Sequence, residues 1–368
     1  MIKKIIMILC LAACAASVYI AARSVRKSGM LEKMPDPVYL SDEDAAERPV
    51  YKSLLQRERA VYTALYNGVI DMQEDVKLPY DIPGDVYNKL YCIIEKQESG
   101  LFYLDSTYFT AAKIEKAHIL YREPPEKIAG KVKLLEDAAD EMLSGLPDGD
   151  DFNKALYIHD MLVENCEYSA EDESLYGSTA YGCIVEKVAN CEGYAKAFSY
   201  LADKCGIRSI VVTGTTARGE NHAWNQVCIN DNWYDLDVTW DDIDVEGECR
   251  RIYFLCTDDD FGRSHFADNK YFQTFECSST QDTYYVREGL LASNNMEAEQ
   301  IIQREAVEGN EQIELRFSDE QAYSDFKETY IKNQYIFRII DDSGFDRDGR
   351  RVSVRENEQE RCIVIYIK

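Results

Sequence analysis

One helix-forming run that opens on a cysteine, followed by two strand-forming runs that carry a histidine and an aspartate, most constrains what this chain can fold into. The helical run is Cys191-Glu192-Gly193-Tyr194-Ala195-Lys196-Ala197-Phe198-Ser199-Tyr200-Leu201, with Gly206 placed to cap its far end. Ile210-Val211-Val212-Thr213-Gly214 reads as a strand. The runs from His222 to Ile229 and from Trp233 to Trp240 read as two more, joined across Asn230-Asp231-Asn232. An amphipathic helix over Asp151–Asn165, with Ala155, Ile158, Leu162 and Val163 as its apolar stripe, precedes them. A helix and a hairpin adjoining in sequence predict an α+β unit in which the Cys191 helix lies on an antiparallel sheet.

The same runs bring together the parts of a thiol active site: Cys191, His222 and Asp237. Asn190 can cap the helix, so Cys191 falls on its first turn, at the positive end of the helix dipole, where a thiolate is favoured. The backbone N–H of Cys191 precedes the intrahelical hydrogen bonds and is free to face an oxyanion. A two-residue turn at Asn230-Asp231 would place His222 opposite Thr239, with Asp237 one diagonal step away on the same face. A three-residue loop would put the two on opposite faces. Taken singly, Cys191 is one thiol among twelve, and a His–Asp pair is as often structural as catalytic; with only four histidines in the chain, the placing of His222 is the more demanding coincidence.

Three blocks, Asn190–Phe198 with Gly206-Ile207, His222–Val227, and Trp233–Asp242, resemble in order and spacing the transglutaminase-like superfamily, most closely its bacterial surface and lipoprotein members. The shared forms are C-x-G-Y-A-x-A-F, H-A-W-N-x-V and W-Y-x-x-D-x-T-W-D, and the likeness runs from about Phe152 to His265. The resemblance implies a papain-like fold, with Cys191 as nucleophile, His222 as general base and acid, and Asp237 as its orienting partner. It implies no cofactor and no metal. Upstream, Ser178 and Tyr181 are weighed as second oxyanion donors. Trp224, Trp233 and Trp240 read as core and cleft wall, and His159 and His265 as structural. Asp241, Asp242 and Asp244 read as a solvated turn, and Gly193 as a site of close helix packing.

Five segments follow: 1–23 as a signal or membrane anchor, 24–50 as a linker, 51–145 as an N-terminal α/β region, 150–277 as the catalytic unit and 283–368 as a C-terminal α/β region. Lys3 and Lys4 precede an apolar run from Ile5 to Ala22, which is near the lower length limit for spanning a bilayer. Alternatively Leu11-Ala12-Ala13-Cys14 is a lipoprotein signal and Cys14 is lipidated; the apolar run continuing past Cys14 favours the anchor. Both readings tether the chain outside the cytoplasmic membrane. The net charge of -26 argues against a nucleic-acid partner, because neutralising phosphate needs clustered cations. Arg347, Arg350, Arg351 and Arg355 do cluster, but acidic residues interleave them. Setting aside Cys10, Cys14 and Cys191 leaves nine cysteines, an odd number that implies no complete disulfide framework.

The expected function is attack on a protein or peptide amide at the cell surface through a thioester, resolved by an amine (cross-linking) or by water (proteolysis or amidase action). The residues serve either outcome. A catalytically inactive scaffold on the same fold is the alternative, and a metal held by Cys191, His222 and Asp237 a weaker third.

Overall fold

The structure, a computed structural model, describes residues 33–170, 174–242, 249–342 and 351–367. The run Ile5–Ala22 with Cys10 and Cys14, and also Asp244, Arg347 and Arg350, lie outside the described residues. Among the described residues no helix is long and apolar enough to cross a membrane.

In the N-terminal region, the helices Gln56–Ile70 and Gly84–Gln97 flank an antiparallel pair, β1 (Asp75–Pro83) and β2 (Lys113–His118). The helix Pro125–Met142 follows, with proline at its first position, where no intrahelical N–H is needed. Within the stretch expected to be linker, Asp42–Ala46 and Pro49–Ser53 are helical instead. Val50 and Tyr51 are buried and Arg48 pairs with Glu98 at 2.9 Å, so Pro49 starts a docked turn rather than loosening the chain. This region holds the outer face of the Cys191 helix. Lys196, buried in that helix, reaches Glu95 at 2.7 Å, and the Gln97 side chain bonds both the N–H and the C=O of Val211.

The helix Asp151–Asn165 is capped by Asp150, which accepts from the Asn153 N–H. Two short parallel strands, β3 (Glu167–Tyr168) and β4 (Val188–Ala189), then lead into the helix Cys191–Lys204. That helix ends where Gly206 takes φ +73, the left-handed conformation that glycine adopts without strain. It packs on an antiparallel sheet of order β7-β6-β5-β8, built from β5 (Ser209–Thr216), β6 (Asn221–Ile229), β7 (Asn232–Leu236) and β8 (His265–Ala267). β6 is buried from His222 to Ile229, the pattern of a strand covered on both faces.

The β6–β7 turn has two residues, Asn230 and Asp231, both at positive φ, which suits Asn and Asp in a tight hairpin. The expected register holds as far as Asn225 opposite Leu236. The expected single strand over Trp233–Trp240 does not: β7 stops at Leu236, and Val238–Asp241 is one helical turn. His222 therefore has no cross-strand partner in β7. The run Tyr253-Phe254-Leu255, expected as a strand, is irregular, because Leu255 sits at φ +53 and breaks any extended course.

The C-terminal region holds β9 (Leu291–Ala292), β10 (Gln312–Phe317), β11 (Val352–Asn357) and β12 (Cys362–Ile367) in the order β11-β12-β10-β9, with the helices Asn295–Glu308 and Glu320–Phe326 alongside. β12 reads Cys-Ile-Val-Ile-Tyr-Ile and is wholly buried. Buried Arg316 ties this sheet to the preceding unit by donating to the Ile252 carbonyl at 2.5 Å, and within the sheet it meets Cys362 Sγ at 3.3 Å. Glu360, in the turn between β11 and β12, reaches Ser264 next to β8.

Candidate active site

Cys191 lies half-buried on the first turn of its helix, against a small apolar floor of Ala195, Val211 and Ala223. Asn190 caps the turn, its Oδ1 accepting from the Glu192 and Gly193 N–H groups at 3.1 and 3.2 Å. Gly193 is a real constraint: a Cβ there would meet the Gly177 carbonyl at 2.5 Å and Ala189 Cβ at 2.7 Å. Its absence lets the 177–179 segment and β4 close over the helix start.

His222 is the first buried residue of β6 and donates from Nε2 to Asp237 Oδ2 at 2.7 Å. With Nε2 so engaged, Nδ1 is the ring nitrogen left for Cys191, which lies within electrostatic reach of the ring. Burial alone would favour the neutral ring. The Asp237 carboxylate, by charge and hydrogen bond, and the Cys191 thiol outweigh it and push the His222 pKa up to about 10. Asp237 is fully buried; burial pulls its pKa upward, but His222 and then His265 hold it well below the usual carboxylate range. The pair is an ion pair across neutral pH.

Asp237 comes into reach by a different route from the expected diagonal. It is the N-cap of the Val238–Asp241 turn, and its Oδ1 accepts from the Thr239 and Trp240 N–H groups at 3.0 and 3.3 Å. The strand thus ends on the residue that must turn its carboxylate back toward β6, and the cap fixes that direction. The structure hydrogen-bonds His222 to Asp237 and sets Cys191 against Ala223, the neighbour of His222 in β6.

Sequence reasoning passed over two neighbours. His265, read as structural, donates from Nε2 to Asp237 Oδ2 at 3.0 Å, the same oxygen that His222 uses. Tyr168 lies within electrostatic reach of Cys191 and Asp237 and lines the cleft. Neither belongs to a motif; the only signal for His265 was that histidine is scarce in this chain. Tyr181, weighed as an oxyanion donor, stacks on Phe102 at 4.8 Å beside Lys131, in a separate aromatic cluster.

The cleft at His222 is open, with a volume of about 760 Å³. Its walls include Tyr168, Arg218, Trp240, Arg250 and Tyr253, with Gln359 from the C-terminal region. Trp240 is cleft wall, as expected. Trp224 is core, its indole N–H donating to Asp235 Oδ1 at 3.3 Å, and Trp233 stacks on Phe275 at 4.1 Å. The expected solvated turn at Asp241 and Asp242 is not one. Asp241 is fully buried, bonded to His159 Nε2 at 3.2 Å and to the Tyr253 N–H, and Asp242 accepts from the Tyr194 hydroxyl at 2.5 Å. His159 is thus a buried structural histidine. The ten cysteines among the described residues are all thiols.

Comparison with known proteins agrees on the core. Residues 137–238 match the family model of the transglutaminase-like superfamily. Kyphoscoliosis peptidase of Mus musculus is 28% identical over 132 residues, which cover 28% of this chain and 20% of that protein. The Homo sapiens form is 31% identical over 102 residues, 23% of this chain and 15% of that protein. The chain therefore spans about a fifth or less of the length of these curated relatives. A TGase crystal structure covers 38% of each chain at 15% identity, with a TM-score of 0.29. The matched segment contains the Cys191 helix, the His222 strand and Asp237, and with its helices and antiparallel sheet this chain carries a transglutaminase-like core of the α+β class.

Proposed function

We propose that the chain is a thiol enzyme that acts on protein or peptide amides through Cys191, His222 and Asp237. The observation that carries this is the His222 Nε2–Asp237 hydrogen bond, with Cys191 on the first turn of its helix within electrostatic reach of the same imidazole. At rest His222 Nδ1 already holds the proton given up by Cys191, and the sulfur attacks the amide carbonyl. Asp237 stabilises the imidazolium so formed. The tetrahedral oxyanion would face the Cys191 N–H at the helix start. Collapse breaks the C–N bond as His222 returns the proton to the leaving amine, and a thioester remains. A second amine or water, deprotonated by His222, then attacks the thioester and restores the thiol.

The open cleft suits a polypeptide better than a small enclosed ligand. Action outside the membrane, with an N-terminal tether, rests on the apolar run Ile5–Ala22 and its basic flanks. The test is purified protein against peptide libraries with a labelled primary amine present. Label on the substrate acyl group means acyl transfer, and a free carboxylate carrying oxygen from water means hydrolysis. Cys191→Ala should lose both. Full activity in that variant would sink the enzyme reading and leave a scaffold.

A further inference from the structure

We propose that His265 is a positioning residue of this site, which fixes the Asp237 carboxylate while His222 gains and loses its proton. The inference rests on the thiol-enzyme reading above. His265 is fully buried, and β8 brings it beside β5, with His265 opposite Thr216 and Ala267 opposite Gly214. That approach depends on Gly214, where a Cβ would stand 2.1 Å from the Phe266 carbonyl and 2.8 Å from the Trp224 ring.

Asp237 accepts four hydrogen bonds. Two backbone N–H groups hold Oδ1, and the Nε2 atoms of His222 and His265 share Oδ2 at 2.7 and 3.0 Å. A carboxylate oxygen only accepts, so both Nε2 atoms carry hydrogen. The other nitrogen of His265 meets Ser264 Oγ at 2.8 Å, and Ser264 Oγ meets Glu360 Oε1 at 3.2 Å, in the turn between β11 and β12. The C-terminal sheet thereby helps to set the ring.

The division of labour follows from chemistry. His222 changes its protonation at Nδ1 in every cycle and borders the open cleft, so it is a poor sole anchor for Oδ2. His265 is shut away from solvent behind Trp240 (4.4 Å between ring centres) and stacks on Phe261 at 3.8 Å. Its N–H stays in place throughout.

That packing supplies the rival explanation, in which His265 is merely an aromatic filler, and the two readings predict opposite rankings. His265→Phe keeps the ring and removes the donor; His265→Gln removes the ring and can keep an N–H near Nε2. The readout is the rate of Cys191 alkylation by iodoacetamide, followed by mass spectrometry across pH 5–9 on folded protein. A hydrogen bond to a charged group predicts that His265→Phe slows alkylation by about ten- to a hundredfold and that His265→Gln restores most of the rate. Ser264→Ala, which leaves the ring untouched, should slow it by about two- to tenfold. Wild-type rates in His265→Phe, or equal slowing by Phe and Gln, overturn the proposal. So does a wild-type rate in Ser264→Ala if the Phe variant does not fold. The ligand atoms of His222, Asp237 and His265 also lie within 4.8 Å of one another, so one equivalent of metal retained by the wild type and lost from His265→Phe overturns it too. An inert Cys191 in the wild type would instead bring down the enzyme reading on which the proposal stands.

Discussion

Replacing Asp237 by asparagine changes one atom, and the structure says why it cannot be silent. Oδ1 takes two backbone N–H groups and Oδ2 takes two imidazole N–H groups, so all four partners are donors. Asparagine has one acceptor oxygen and one NH₂ group. With the oxygen toward the histidines, NH₂ faces the Thr239 and Trp240 N–H groups and the helix cap is lost. With the oxygen toward the cap, two imidazole N–H groups face NH₂ in a dry site. Either way a buried donor pair is unsatisfied and the charge that balances His222 is gone. Removing one partner of a buried ion pair costs about 3–5 kcal/mol. At about 2–4 °C per kcal/mol for a unit of 150–250 residues, the melting temperature should fall by roughly 6–20 °C. The imidazolium facing Cys191 is lost with it, so alkylation of Cys191 at neutral pH should slow as well. Thermal melts followed by circular dichroism, with alkylation measured at a temperature where both proteins are folded, give both numbers. An Asp237→Asn protein that melts within a degree of the wild type and alkylates at the same rate would refute the four-donor account.

Two further outcomes follow from the same geometry. His222 has a folded pKa of about 10, above its ordinary 6.5, so the stability it contributes is fully present below pH 6.5 and is lost as pH rises toward 10. In urea titrations, the gap between wild type and His222→Gln should be largest near pH 6 and shrink up to pH 10; a gap that widens with pH contradicts the assigned charge. Gly193→Ala should destabilise the protein by about 1–3 kcal/mol, because its Cβ meets the Gly177 carbonyl at 2.5 Å, and urea midpoints would show it.

The parts of this fold that were legible in the sequence were those fixed by local pattern. The helix from Cys191, its Asn190 cap and its Gly206 stop depend on side chains a few residues apart, and all three are where the pattern put them. The hairpin at Asn230-Asp231-Asn232 was legible because only a few residue types sit well at positive φ, while its length, two residues and not three, came from the structure. Asp237 was legible as a residue but not as a geometry. Val238-Thr239-Trp240 has strand composition, yet the carboxylate caps a helical turn there, a local hydrogen bond that overrides propensity. Asp241 was misread because charge in sequence suggests solvent; its partners, His159 and the Tyr253 N–H, are far along the chain. His265 was hidden for the same reason: its place beside Asp237 depends on β8 pairing with β5 at Gly214, a non-local contact that no motif records.

The central claim is that Cys191 is an activated nucleophile, and selective alkylation tests it most directly. Folded protein is treated with limiting iodoacetamide near pH 7, and each cysteine is quantified by peptide mass spectrometry. Cys92, Cys205 and Cys249 are, like Cys191, partly exposed and serve as internal controls. The account predicts that Cys191 is labelled at least about tenfold faster than these three, and that His222→Gln removes the difference. Labelling of Cys191 at the rate of the controls, unchanged by His222→Gln, would contradict it.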